Sequence, residues 1–286
     1  MYPDIKAFFH KDSFTLTYIV SCPVTRKCAI IDPALDFDPV ACQISTPFSD
    51  TLIAYINEQQ LQLQYILETH AHADHISSAT YLKSELGGQI GVSANIKRTQ
   101  STFKLIFNMA KQLNEQAHDF DLLLSEGDSL ELGQLTIDIL DTPGHTPDSI
   151  TFVIGKHAFI GDTLFMPDSG SARCDFPGGD AQLLYASIQK LYALGDETWL
   201  YMCHDYQPQG RQLAYKCTVG EQKRANIQVR EGIAEQDYVR VREQRDATLA
   251  NPKLIFPSLQ CNIRAGKLPN ADDNGQVYFK LPIQMA

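Results

Sequence analysis

Apolar positions along this chain alternate between two spacings. Thr15 to Val20 and Cys28 to Ile31 are apolar runs of strand length. Tyr65-Ile66-Leu67, Leu135 to Leu140, Ile150 to Ile154, Ala158 to Ile160 and Trp199 to Met202 read the same way. Between them, Thr51 to Gln60 and Ile76 to Leu86 carry helical spacing, the second closed by Gly87-Gly88. Ala181 to Leu194 reads as an amphipathic helix ended by Gly195. Periodicity alone therefore defines a mixed α/β chain.

The character changes after about Tyr206. A charged, helical stretch runs from Val219 to Arg245 and includes Glu221, Lys223, Arg224, Arg230, Glu231, Arg240, Arg242 and Arg245. Most of these charges read as a solvated helix face. A segment punctuated by Pro and Gly follows from Asn251 to the end. We divide the chain into residues 1–210, which carry the strand-rich part, and an appendage, 211–286, packed on the same domain.

Polar residues of one chemical kind collect where the apolar runs stop. Thr69-His70-Ala71-His72-Ala73-Asp74-His75 follows Tyr65-Ile66-Leu67. Pro143-Gly144-His145-Thr146 follows Leu135 to Leu140, Gly161-Asp162 follows His157 to Ile160, and Cys203-His204-Asp205 follows Trp199 to Met202. Imidazole is the commonest protein metal ligand near neutral pH, and a carboxylate complements it. Ligands on several strand ends can converge on one sheet edge. A solvated loop is the bland alternative for the first string, but three histidines and an aspartate in so short a span outweigh it. His10, His118 and His157 lack such company and read as ordinary surface or core residues.

This set of motifs resembles the metallo-β-lactamase superfamily from about Tyr18 to about Asp205. The resemblance implies an αβ/βα sandwich: two mixed β-sheets face to face, helices outside, and a metal site on strand-end loops at one edge. Fold alone does not select an activity. The segment Ala172-Arg173-Cys174-Asp175-Phe176 is similar to the Gly-Arg-Thr-Asp-Phe of persulfide dioxygenases, whereas glyoxalase II carries Gly-Arg, a different residue, then Phe-Glu. Ala172 and Cys174 depart from the dioxygenase pattern. The wording around them, with Cys203-His204-Asp205-Tyr206 and Asn262-Ile263-Arg264-Ala265-Gly266, resembles a bacterial β-lactamase-like subgroup linked to sulfide detoxification.

The dioxygenase resemblance implies one Fe(II) per chain held by His70, His145 and Asp162, with three open positions on one face. It implies oxidation of glutathione persulfide, or a related small persulfide, by O₂ to sulfite. His72, Asp74, His75 and His204 are then groups that orient the ligands. In a glyoxalase II-like enzyme the same four complete a site for two Zn(II), which would hydrolyse glutathione thioesters. A metal-binding partner protein without catalysis is the alternative of another class. It is disfavoured because structural zinc sites are usually closed, often by cysteines. An anionic carrier thiol calls for cations. Arg173 and Tyr206 are the candidates beside the reacting groups, and Arg211 is a further substrate contact. Cys174 and Cys203 flank functional positions and read as small buried hydrophobes sooner than as persulfide carriers.

Composition narrows the setting. Lys and Arg number 24 against 34 Asp and Glu, and the net charge of −10 opposes a general nucleic-acid partner. Seven cysteines, without a Cys-x-x-Cys pair, suit reduced thiols. No apolar stretch is long enough for a membrane span. Met1-Tyr2-Pro3-Asp4-Ile5-Lys6 does not read as a signal peptide, so a cytoplasmic location is expected. A homo-oligomer and a sulfurtransferase partner stay open.

Overall fold

The computed structural model describes residues 1–109, 113 and 116–283. The last three positions of the appendage, 284–286, lie outside the described residues. In chain order the elements are β1 Asp4–His10, β2 Thr15–Ser21, β3 Lys27–Ile31, β4 Ala34–Asp38, β5 Gln43–Ser45, α1 Pro47–Glu58, β6 Gln62–Leu67, β7 Ile76–Ser77, α2 Ala79–Leu86, β8 Gln89–Ser93, α3 Ile96–Ile106 and β9 Leu122–Leu124. There follow β10 Ser129–Leu132, β11 Leu135–Asp141, β12 Ile150–Ile154, β13 His157–Phe159, α4 Ala181–Tyr192, β14 Trp199–Tyr201, β15 Lys216–Thr218, α5 Val219–Ala225, α6 Glu235–Asp246 and α7 Ile255–Asn262.

Alternation along β2 explains the layering. Leu16, Tyr18 and Val20 point one way, into a core shared with Ile137, Ile139, Phe152 and Phe159. Ile19 points the other way, against Leu52, Ile56 and Leu82 of the helices α1 and α2. A strand buried on both faces is mostly apolar, and β2 is fully buried, its polar Thr15 and Thr17 being hydrogen-bonded. The first sheet has the order β1-β2-β3-β6-β8-β9 and the second β10-β11-β12-β13-β14-β15. Outside the second sheet, Leu184, Ile188 and Leu191 of α4 pack on Val153, Ala158 and Leu200. The result is a sandwich of two mixed sheets with helices on both outer faces, as the resemblance implied.

Boundaries differ from the pattern reading in three places. The helix expected from Thr51 begins at Pro47, because proline at the first turn supplies a preset φ and lacks only an N–H that would have no helical partner. Ile76-Ser77, read as the start of a helix, instead pairs antiparallel with Ala34 and Leu35, and helix α2 starts at Ala79. The stretch Val219 to Arg245 breaks into α5 and α6. Asn226 stops the first helix by accepting the N–H groups of Gln228 and Val229 on its side-chain oxygen. Arg242, among the charges read as solvated, is buried.

The parallel pairs β3·β6 and β13·β14 bring the C-terminal ends of their strands to the same edge within each sheet. That edge carries the histidine-rich loops. Among the described residues, no helix is long and apolar enough to cross a membrane.

Candidate metal centre

The loop after β6 is fixed from below by Asp32, at the end of β3. Its carboxylate accepts the Thr69 N–H at 2.7 Å, the Thr69 hydroxyl at 2.9 Å and the Nε2–H of His72 at 3.0 Å. From the other side Asp148 accepts the Ala71 N–H at 2.8 Å and the Thr99 hydroxyl at 2.6 Å. Asn262 of α7 donates to the carbonyls of His72 and His75 at 2.8 and 2.7 Å and accepts the Ser77 N–H at 2.8 Å. Three buried side chains from three distant parts of the sequence therefore hold this loop.

Two glycines let the other ligand loops approach. Gly161, at φ +51°, would place a Cβ 2.6 Å from Thr69 Oγ1. Gly144, at φ +140°, would place one 2.3 Å from the backbone nitrogen of Leu184. Neither position admits a side chain, which accounts for a glycine directly before Asp162 and before His145.

Hydrogen bonds set the tautomers. The Thr69 hydroxyl gives its proton to Asp32, so at 3.0 Å it accepts the Nδ1–H of His70. The Nδ1–H of His145 goes to the Arg173 carbonyl at 2.7 Å, and that of His204 to the Phe14 carbonyl at 3.2 Å. His75 Nδ1 lies 3.1 Å from Asp74 Oδ2. One nitrogen of each ring is thus occupied. The opposite atoms, His70 Nε2, His72 Nδ1, His75 Nε2 and His204 Nε2, are buried without a hydrogen-bond partner among the described residues, as is Asp162 Oδ1. Buried polar atoms are normally satisfied, and a cluster of unpartnered ring nitrogens with the rest of each ring anchored is the arrangement that metal-binding imidazoles show.

His70, His145 and Asp162 offer ligand atoms all within 4.8 Å of one another, as do His72, Asp74 and His75. Asp162 lies between two groups: one oxygen is 3.7 Å from His145 Nε2, the other 3.5 Å from His204 Nε2. His204 Nε2 is also 3.5 Å from Asp74. Burial, with the nearby His72 and His145, holds His70 well below the usual imidazole range, and burial takes His75 down to about 4. Both rings are therefore neutral at pH 7, the form that binds a metal. The donors present fit a metal ion, with nitrogen and carboxylate ligands suited to iron or zinc.

The other sequence candidates fall around a cavity of about 600 Å³ that opens on His145 and Asp162. Tyr206 lines it, stacked on the His204 ring at 5.7 Å. Arg173 lines it too, but its guanidinium forks onto both Asp175 oxygens at 2.6 Å and donates to the Ala250 carbonyl at 2.7 Å. Arg211 is bound to Asp168 and Asp205. Cys174 and Cys203 are buried. His10 and His157 lie elsewhere, against Asp36 and Tyr201, and His118 is exposed. Sequence reasoning missed Asp32, Asp148, Asn262 and the Phe14 carbonyl. Asp32 had a findable signal, since it too is an acid ending an apolar strand; Asn262 stood in a quoted motif that did not say what it holds, Asp148 is a single polar residue without a pattern, and a backbone carbonyl such as that of Phe14 has no sequence signal.

This fold and this edge define the class. Residues 11–204 match the Metallo-beta-lactamase superfamily model, and the chain belongs to that superfamily. It is 45% identical to a "Probable metallo-hydrolase" of Burkholderia pseudomallei, over 98% of each chain. It is 28% identical to "Persulfide dioxygenase ETHE1, mitochondrial" of Homo sapiens, over 92% of this chain and 88% of that one. Among solved structures, ETHE1 from Myxococcus xanthus superposes with a TM-score of 0.74 at 29% identity, covering 92% of this chain and 100% of the other.

Proposed function

We propose that the chain is a persulfide dioxygenase with one Fe(II) held by His70, His145 and Asp162. The observation that carries this reading is the compact triad of two imidazoles and one carboxylate beside an open cavity. The similarity to persulfide dioxygenases of known name supports it. The overall reaction is R–S–SH + O₂ + H₂O → R–SH + H₂SO₃. The outer sulfur is oxidised, O₂ is reduced, and the S–S bond breaks to release the carrier thiol. His70, His145 and Asp162 would hold the iron, which would supply the redox chemistry between the persulfide sulfur and O₂.

The chain's own groups set the conditions. Thr69 and the Arg173 carbonyl hold the His70 and His145 rings with one nitrogen facing inward. Asp162 offers a carboxylate whose Oδ1 accepts no hydrogen bond among the described residues and lies 3.5 Å from His204 Nε2. Phe165, Phe176 and Ala172 give the cavity an apolar lining that disfavours water near the reacting sulfur. Tyr206 stands at the same wall and is the candidate to orient the substrate.

A second reading has its own support. The orphaned nitrogens of His75 and His204, with Asp162 between the two donor groups, would also suit a pair of Zn(II) ions in a thioester hydrolase, and the Burkholderia relative is named a metallo-hydrolase. The deciding experiment assays one preparation, iron-loaded and zinc-loaded, with glutathione persulfide and S-lactoylglutathione. O₂ uptake with sulfite release by the iron form, and negligible thioester cleavage, is expected. Rapid thioester cleavage by the zinc form, with no O₂ uptake by the iron form, would assign the hydrolase.

A further inference from the structure

The buried residues of α6 are Tyr238, Arg242 and Asp246, four residues apart, so they form one stripe along the helix. A surface helix normally docks by an apolar stripe. This one docks by polar groups, and all of them reach the same short stretch of chain. The Tyr238 hydroxyl lies 2.8 Å from the Ser171 hydroxyl. Arg242 donates through Nη1 to the Ser171 carbonyl at 3.1 Å and to Gln228 at 3.2 Å. Asp246 accepts the Cys174 N–H at 2.7 Å. Arg242 and Asp246 are also bound to each other, through Nε at 2.9 Å and through Nη2.

Burying that pair is costly. Arg242 is 3% exposed and Asp246 5%. Ions taken out of water regain the desolvation cost only with good geometry, and an apolar pair of similar volume commonly serves stability as well. What an apolar pair does not supply is direction. The guanidinium and the carboxylate fix one backbone group at each end of the stretch from Ser171 to Cys174. Between those ends stands the Arg173 carbonyl, which accepts the Nδ1–H of His145 at 2.7 Å.

We propose that Arg242 and Asp246 are positioning residues for His145: together they hold the stretch whose carbonyl orients that ring and aims its Nε2 at the metal centre. This rests on the reading of His145 as a metal ligand, which the iron and the zinc assignments share. The pair acts through backbone, without touching the ring itself. It also gives the helix α6 a task at the site, since its buried stripe is spent on the segment that carries the ring's acceptor. In the sequence, Arg242 is only one charge in a charged run.

The test uses the full chain loaded with Zn(II) and follows, by proton–nitrogen NMR, the exchange of the His145 Nδ1–H with solvent. The Nδ1–H of His70, which goes to Thr69 and not to the stretch held by α6, is the internal reference. The double variant Arg242→Met with Asp246→Leu replaces the pair by apolar groups and should melt close to wild type. In it the His145 Nδ1–H should exchange about tenfold faster, the effect of one weakened hydrogen bond, with His70 unchanged. Affinity for Fe(II) and for Zn(II), by chelator competition, should fall about tenfold. Arg242→Lys keeps the charge against Asp246, but one ammonium cannot also cover Ser171 and Gln228, so it should lie between the double variant and wild type. It carries the comparison should the double variant not fold. Leu52→Ala, in the core of α1, should lower Tm and leave the His145 exchange as in wild type. Wild-type exchange at His145 in the double variant or in Arg242→Lys overturns the proposal. Equal acceleration at His70, or in Leu52→Ala, overturns it too, because the effect would then be global opening. Selective acceleration at His145 in a protein that takes up no O₂ would keep the positioning pair and remove the dioxygenase reading.

Discussion

The Nδ1–H of His145 is donated to the backbone carbonyl of Arg173, 2.7 Å away and 28 residues along the chain. The side chain of Arg173 meanwhile ties its own segment to Asp175 and to Ala250, beyond α6. Arg173 thus orients the ring of a candidate metal ligand through its backbone, and its guanidinium keeps that backbone in place.

Arg173→Ala is accordingly expected to act on stability and metal retention more than on substrate affinity. The fork is partly exposed, so screening limits its worth to about 1 kcal/mol, or a Tm lower by roughly 2–4 °C. Iron affinity should fall several-fold, since the ring's acceptor is less firmly placed. Calorimetric melting with metal analysis checks this. A large rise in KM at unchanged Tm would instead make Arg173 a direct substrate contact.

Metal analysis of three variants tests the ligand assignment. Wild type should retain about one iron per chain, His70→Ala and Asp162→Asn should retain almost none, and His204→Ala should keep most of it. The basis is the compact group His70, His145 and Asp162. Two fully occupied ions within about 4 Å of each other, the spacing of two-metal hydrolases, would contradict it.

Asn262 links α7 to the ligand loop by three buried hydrogen bonds, to the His72 and His75 carbonyls and the Ser77 N–H. Asn262→Ala strands all three partners away from water. The expected loss is about 3 kcal/mol in urea unfolding, together with weaker metal binding. A loss below about 0.5 kcal/mol, the range of ordinary surface substitutions, would show that the loop holds its shape without α7.

Burial pushes the Cys174 thiol up to about 12, and burial likewise raises that of Cys203. A raised thiol pKa keeps the proton on sulfur throughout the neutral range, so the nucleophilic thiolate of Cys174 forms only as pH climbs toward 12. Folded protein at pH 8 should therefore take up iodoacetamide at the exposed Cys42 and not at Cys174 or Cys203. Cys174→Ala should retain persulfide turnover. Rapid labelling of Cys174 in the folded chain would restore it as a covalent carrier.

What the sequence determined by itself is what local chemistry can encode. The apolar runs marked seven of the fifteen strands, those whose buried positions are mainly apolar, as Tyr18, Ile19 and Val20 of β2 show. The string from His70 to His75, and the single ligand-type residues at the ends of three other runs, marked residues that the structure brings together as a candidate metal-ligand set. Gly144 and Gly161 stood in the same motifs, but the close approaches to Leu184 and Thr69 that only glycine permits are set by the tertiary structure. Tertiary structure decided the rest. Asp32, Asp148 and Asn262 matter because parallel pairing and helix packing bring three remote segments beneath one loop, and even where the pattern marks such a residue, as it does Asp32 at a strand end, it carries no sign of which loop it will hold. The fates of Arg242 and Arg245, three residues apart on α6, separate for the same reason. Packing buries one guanidinium against Asp246 and leaves the other exposed at the cavity with no carboxylate partner among the described residues, and a charge in a sequence does not say which partner it will meet.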